Sequence, residues 1–200
     1  MNAASAKTTS FHWDGYGLME YLLVLHPSEP VNQKIQQEKQ DFYRQYGEKI
    51  AVKTRPHITI GTFLAKEAME DTLNRWINNI CNLHGSFELT LNNYSGFPPD
   101  TIYLRIQDLK PVLSLIQQLK ILDNYIRLSD CPPLKPSPKP HLTLAKKLPM
   151  EIFEKAIKEY SRKDFHESFI ARELVLLKRS HEFEACKVVN KFPLLPGTNN

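Results

Sequence analysis

Two stretches of this 200-residue chain place the same polar pair at the head of an apolar run. His57 and Thr59 lie in "RPHITIGTF", residues 55–63, and His141 and Thr143 in "KPHLTLAKK", residues 139–147. With 7 histidines, 10 threonines and 42% hydrophobic positions, random order gives about 0.06 strings of the form His-apolar-Thr-apolar. Two occur, and a proline precedes each. Proline suits the first residue of a strand, where no ladder donor is lost.

Side chains alternate along a strand, so His57 and Thr59 share one face while Ile58 and Ile60 share the other. His141 and Thr143 repeat that arrangement over Leu142 and Leu144. Transfer at a phosphodiester needs a base for the attacking hydroxyl or water and an acid for the leaving oxygen. Histidine, with an ordinary pKa near ~6.5, serves either role at neutral pH. Threonine hydroxyls donate to the non-bridging oxygens as charge gathers there. Two such pairs facing each other across a cleft would supply in-line attack and departure without a metal ion.

Elements must bring the pairs together. The patterning predicts a strand over 19–26 and a helix over 28–47, with Ser28 as cap, Pro30 in the first turn and Gly47 at the end. A strand at 57–63 follows, then a helix over 66–85 that turns Met69, Leu73, Trp76, Ile77 and Ile80 inward and ends at Gly85. Strands at 86–91 and 101–106 flank the turn-rich "NNYSGFPPD". A helix over about 109–122, a proline-rich approach at 129–140, the second motif strand, a helix from Pro149, and strands at 169–180 and 184–194 complete the order.

The order repeats. Tyr21 and His57 are 36 residues apart, and Tyr103 and His141 are 38 apart; from His57 to Phe87 is 30, and from His141 to Phe169 is 28. We read two similar lobes related by a pseudo-two-fold axis. Pseudo-repeats at about 18–97 and 98–180, with a final strand at about 184–193, form one domain over 15–193. Tails are expected at 1–14 and 194–200.

Around the motifs, Lys135, Lys139, Lys146 and Lys147 crowd the second, and Lys53 and Arg55 precede the first. Such charge steers a phosphate ligand. In "TIYLRI" the apolar trio should face the helices, which turns Tyr103 and Arg105 toward the cleft; Tyr21 is the partner of Tyr103 by repeat spacing. Aromatic rings there would stack on a base. Phe97 reads as a loop anchor. His12, His26, His84, His166 and His181 lack the motif's context and receive no role.

Composition bounds the rest. The formal net charge is +4, mildly basic. Three cysteines without a CxxC pair argue against a disulfide framework or zinc knuckle and for a reducing compartment. The N-terminus lacks the apolar core of a secretory signal, and no run approaches ~18 apolar residues. The expectation is a cytoplasmic monomer off the membrane. No glycine is followed by lysine, so there is no P-loop; HExxH, HxH and a GxSxG elbow are also missing.

The paired motifs resemble those of the 2H phosphoesterase superfamily, and within it the RNA 2′,3′-cyclic phosphodiesterases, also called 2′–5′ RNA ligases. "PHITI" and "KPHLTLAK" match the two motifs; "GFPPDTIYLRI" and "LVLLKRS" resemble neighbouring strands, and the resemblance spans roughly residues 18–192. It implies an α+β, bilobal LigT-like fold, with two pseudo-symmetric antiparallel sheets facing a central cleft and helices on the outer faces. It implies metal-independent, cofactor-free opening of cyclic phosphates on RNA ends or small nucleotides. His57 would be general acid, His141 general base, and Thr59 and Thr143 would hold the phosphate. Lys146 stands where many relatives carry arginine and offers a point charge without the bidentate fork. A non-catalytic nucleotide-binding module, or a phosphodiesterase for 2′–5′ oligoadenylate or a cyclic ADP-ribose phosphate, remains open from sequence.

Overall fold

Among the described residues, nine strands and four α-helices follow one another in the order β1 (Leu18–Leu25), α1 (Glu29–Tyr46), β2 (Ile58–Lys66), α2 (Glu70–Cys81), β3 (Phe87–Phe97), β4 (Thr101–Ile106), α3 (Lys110–Leu128), β5 (Lys135–Pro136), β6 (Leu142–Ala145), α4 (Met150–Tyr160), β7 (His166–Ala171), β8 (Glu173–Arg179) and β9 (Lys187–Pro193). This computed structural model describes residues 17–182 and 184–197, so the tail expected at 1–14 lies outside the described residues.

The strands form one antiparallel hydrogen-bonded path, β7-β3-β4-β6-β2-β1-β8-β9, with β5 paired to β2. It has two four-stranded halves, β9-β8-β1-β2 and β6-β4-β3-β7, whose motif strands β2 and β6 are the innermost. A single residue pair, Ile58 opposite Leu142, joins them. Strands are exchanged between the halves: β3 follows α2 but pairs with β4, and β8, which follows α4 and β7, pairs with β1. Helices cross over as well. α1 packs against β6 and β7, and α3 against β2.

The core lies beneath the helices. Val31, Ile35 and Phe42 of α1 are buried at helical spacing. They join Leu23, Leu25, Ile58, Ile60, Leu142 and Leu144, each 0% exposed, in one cluster. Full burial of each such side chain contributes about 1.5–3 kcal/mol. On the opposite sheet face Val24, Val175 and Leu177 make a small separate cluster. Gly61 lets the proline-rich arm cross β2 closely, since a Cβ there would meet Leu119 Cδ1 at 3.3 Å and the Lys135 carbonyl at 3.5 Å.

Several expectations shift. "NNYSGF" is strand, not turn: β3 runs to Phe97 with a bulge between Leu91 and Tyr94, where Asn93 takes φ 56. Asparagine tolerates that left-handed conformation. The strand expected at 169–180 breaks at Arg172, where the chain passes from β3's side to β1's. α2 ends at Cys81, and Gly85 instead bridges to Leu195. α3 runs on to Leu128. Trp76 is 37% exposed rather than inward. The C-terminal tail begins later than 194: Leu194 is buried, and Leu194 and Leu195 donate backbone N–H groups to Arg172 and His84. At α1, Gly47 caps with φ 74, while Ser28 occupies the N-cap without a side-chain hydrogen bond.

Candidate active site

Both motif histidines are anchored in the same way. Nδ1 of His57 donates to the carbonyl of Arg55 at 2.8 Å, and Nδ1 of His141 donates to the carbonyl of Lys139 at 2.7 Å. A carbonyl only accepts, so Nδ1 carries the hydrogen in each ring and Nε2 is left for a ligand. The buried prolines Pro56 and Pro140 fix the backbone between donor and acceptor.

Register explains how the four groups meet. Ile58 lies opposite Leu142 in an antiparallel pair, and both point into the core. His57 and Thr59 flank Ile58, and His141 and Thr143 flank Leu142, so all four lie beside the joining pair on the face away from the core. The ladder stops at this one pair, which leaves the half-buried histidines and threonines accessible between the halves.

Their surroundings differ. Burial, first of all, lowers the His57 pKa to about 4, and the neighbouring His26, Lys39 and Lys146 add to it against the opposing pull of the Arg55 carbonyl. Burial also lowers His141, with Lys139 and Lys146 acting the same way against the Lys139 carbonyl. Lys146 is exposed, and its charge reaches both rings.

The segment leading to His57 is clamped by two residues to which sequence reasoning gave no role. Lys39 is 3% exposed; its Nζ donates to the Ala51 carbonyl at 2.9 Å, the Thr54 carbonyl at 3.1 Å and Thr54 Oγ1 at 3.2 Å. Burial lowers this lysine to about 8, with Lys146 adding to the effect. Nδ1 of His26 donates to the Pro56 carbonyl at 3.0 Å, and its ring stands edge-on to His57 with centroids 6.4 Å apart. No local pattern marks either residue; both act on a loop distant from them in sequence.

The second half is aromatic instead. Tyr103 opposes Thr143 and lies outside the helix-side core. It stacks on Phe97 at 4.3 Å, and its ring centroid is 4.8 Å from that of His141. Phe97 meets His141 edge-on at 5.0 Å, and Lys139 Nζ sits 5.0 Å from the Phe97 centroid. Tyr103 thus faces the cleft but is only 1% exposed, covered by Phe97. Arg105 is exposed, and its Nε donates to the Asn92 carbonyl at 3.2 Å across the β3 bulge.

Tyr21 departs from expectation. It is fully buried in the helix-side core, stacks on Phe63 at 5.2 Å and donates its hydroxyl to Glu70 Oε1 at 2.8 Å. Val24, opposite Thr59, holds the place that Tyr103 holds opposite Thr143. Counting residues between strands gave the wrong partner because the two connections differ in length: Val24 precedes His57 by 33 residues, whereas Tyr103 precedes His141 by 38. Tyr21 shares the core face with Leu23 and Leu25 by simple alternation.

Among the described residues no three His, Cys, Asp or Glu side chains come together as metal ligands would, and no helix is long and apolar enough to cross a membrane.

Comparison with known proteins agrees with this fold. The chain is similar in fold to LigT of E. coli, solved with 3′-AMP: TM-score 0.62, 14% identity, covering 88% of this chain and 98% of that one. TT0787 of Thermus thermophilus gives TM-score 0.66 and 16% identity over 88% and 98%. The MHV ns2 PDE domain gives 0.54 and 14% over 80% and 99%. A search of curated proteins found no match. The 2′-5′ RNA ligase superfamily model matches residues 3–182, which carries both histidine-threonine pairs. This supports phosphodiesterase or ligase activity in general. The chain, with its α+β LigT-like fold, belongs to the 2′-5′ RNA ligase superfamily of 2H phosphoesterases.

Proposed function

We propose that this chain is a metal-independent phosphodiesterase that opens 2′,3′-cyclic phosphates on RNA ends or small nucleotides. The observation that carries this reading is the matched pair of Nδ1–carbonyl tethers, which leaves two Nε2 atoms for one phosphate. In the forward step, one Nε2 takes a proton from water as the water oxygen bonds to phosphorus. The bond from phosphorus to one ribose oxygen breaks, and the other Nε2–H protonates that oxygen. Thr59 and Thr143 donate to the non-bridging oxygens, and Lys146 offsets their charge. Ligation would be the same ring opening with a ribose hydroxyl in place of water as the nucleophile. E. coli LigT, solved with 3′-AMP, with ATP and with NADP+, supports a nucleotide ligand.

The resemblance assigns His57 as acid and His141 as base. One observation favours the exchanged roles: burial holds His57 at about 4, so it is neutral at pH 7 and ready to accept a proton. The negative charge of a bound cyclic phosphate raises both rings, so that one of them takes a proton from solvent and serves as the acid. The experiment is a panel of 2′,3′-cyclic nucleotides and 2′–5′ and 3′–5′ oligomers, assayed with EDTA present. Turnover of the cyclic substrates is expected to survive EDTA. Tight binding of a cyclic nucleotide without turnover would replace this reading with a binding module, and loss of activity that zinc restores would replace it with metal catalysis.

A further inference from the structure

A polar pocket of about 460 Å³ lies between α1 and the segment that leads into His57. One wall is Gln33, Gln36, Gln37 and Gln40; the other includes Thr54, Arg55 and Pro56. Spacing of three, four and seven residues puts the glutamines on one helix face, and all four are exposed. An ordinary solvated helix face carries charged residues; this one carries four neutral amides. Among the described residues, the buried Lys39 and the exposed Arg55 are the only charged ones lining the pocket, and both are positive. At the rim, Arg55 pairs loosely with Glu29 at 3.7 Å, and Gln37 donates to Asp41 at 2.9 Å. The volume is in the range of small-molecule sites, about 300–1,000 Å³.

The pocket and the candidate active site share the segment that leads into His57, and the charge of Lys39 in the pocket lining reaches the His57 ring. The Arg55 carbonyl is the acceptor for His57 Nδ1, and Pro56 joins the two. A glutamine amide both donates and accepts, which matches the paired groups on a base edge, the adenine N6/N7 pair above all. Single-stranded RNA is read through such exposed edges. We propose that this pocket is a subsite for the nucleotide adjoining the one with the scissile phosphate: the glutamines of α1 read its base and Arg55 meets its phosphate. The inference rests on the cyclic-phosphate reading above and extends it from mononucleotides to an RNA end at least two nucleotides long.

The test compares kcat/KM for a mononucleoside 2′,3′-cyclic phosphate with that for an adenine dinucleotide bearing the same cyclic end. The double variant Gln36→Ala/Gln40→Ala suits it, because alanine at exposed helix positions favours the helix. The expected result is a preference of about tenfold for the dinucleotide, lost in the double variant while mononucleotide turnover stays within about twofold. Equal kcat/KM for the two substrates in the wild type, or a preference undiminished in the variant, overturns the subsite. A second arm measures calorimetric binding of the adenine dinucleotide ending in a 3′-phosphate, which needs no turnover. Affinity should fall about tenfold in the variant, and unchanged affinity overturns the proposal. If no cyclic phosphate is turned over at all, the catalytic reading fails and the binding arm alone decides the subsite.

Discussion

His57 and His141 each donate Nδ1–H to the carbonyl two residues back, yet they sit in different company. The first half sets His57 near a buried lysine and beside a second histidine, and Val24, Val175 and Leu177 form a small aliphatic cluster in which Val24 lies opposite Thr59. The second packs His141 against Phe97 and Tyr103, with Lys139 above the rings. A shared backbone plan sets where each imidazole stands and which nitrogen faces outward. The unshared neighbours set how readily each takes a proton. Pseudo-symmetry in the frame is therefore compatible with unlike duties at its two poles.

The sharpest way to break that comparison is to remove the need for an acid. A phosphodiester with a 4-nitrophenol leaving group departs without protonation. On it, the variant lacking the base should remain about 10²–10⁴-fold slow, and the variant lacking the acid should recover most of its rate. If His57→Ala is the one that stays slow, His57 is the base; equal losses on the activated ester would show that the halves do not divide the work.

Next in size is the clamp. Lys39→Met strips the ammonium from three oxygens of the 51–54 segment, and should destabilise the fold by about 2–3 kcal/mol in a denaturant titration. Lys139→Met, on an exposed lysine in the other half, should stay within about 0.5 kcal/mol. Similar costs would show that the first motif's approach is not specially held.

The smallest effects concern ionisation. His57 is neutral in the fold below its unfolded pKa, so folding is unaffected above about pH 6.5. Stability is then lost as pH falls from about 6.5 toward about 4, and little more below that. Proton NMR of the ring hydrogens should place His57 near 4 and His141 below 6.5. A nucleotide phosphate should move both upward. Removing a neighbouring cation with His26→Gln should raise His57 and leave His141 alone. A His57 that titrates at 6.5 would contradict its burial.

What was legible in the sequence was local. The paired His and Thr positions, the alternation beneath them and the buried face of α1 were readable because each depends on spacing within one element. Interactions between elements were not. The connections through α1 and α3 differ in length, so Val24 rather than Tyr21 takes the place of Tyr103, and Tyr21 lies in the core beside Leu23 and Leu25. The Asn92–Asn93 pair has turn chemistry, yet β7 and β4 hold it as a bulge inside β3. Lys39 and His26 reach backbone carbonyls 12 to 30 residues away, and nothing in their own neighbourhoods announces it.

The central claim is that both histidines act on one phosphodiester. The direct measurement is steady-state turnover of a 2′,3′-cyclic nucleotide by the wild type, His57→Ala and His141→Ala, each first shown to be folded. Each substitution should lower kcat by about 10²–10⁴-fold, and the double variant should be little worse than the poorer single one. Full activity in either single variant would contradict the account.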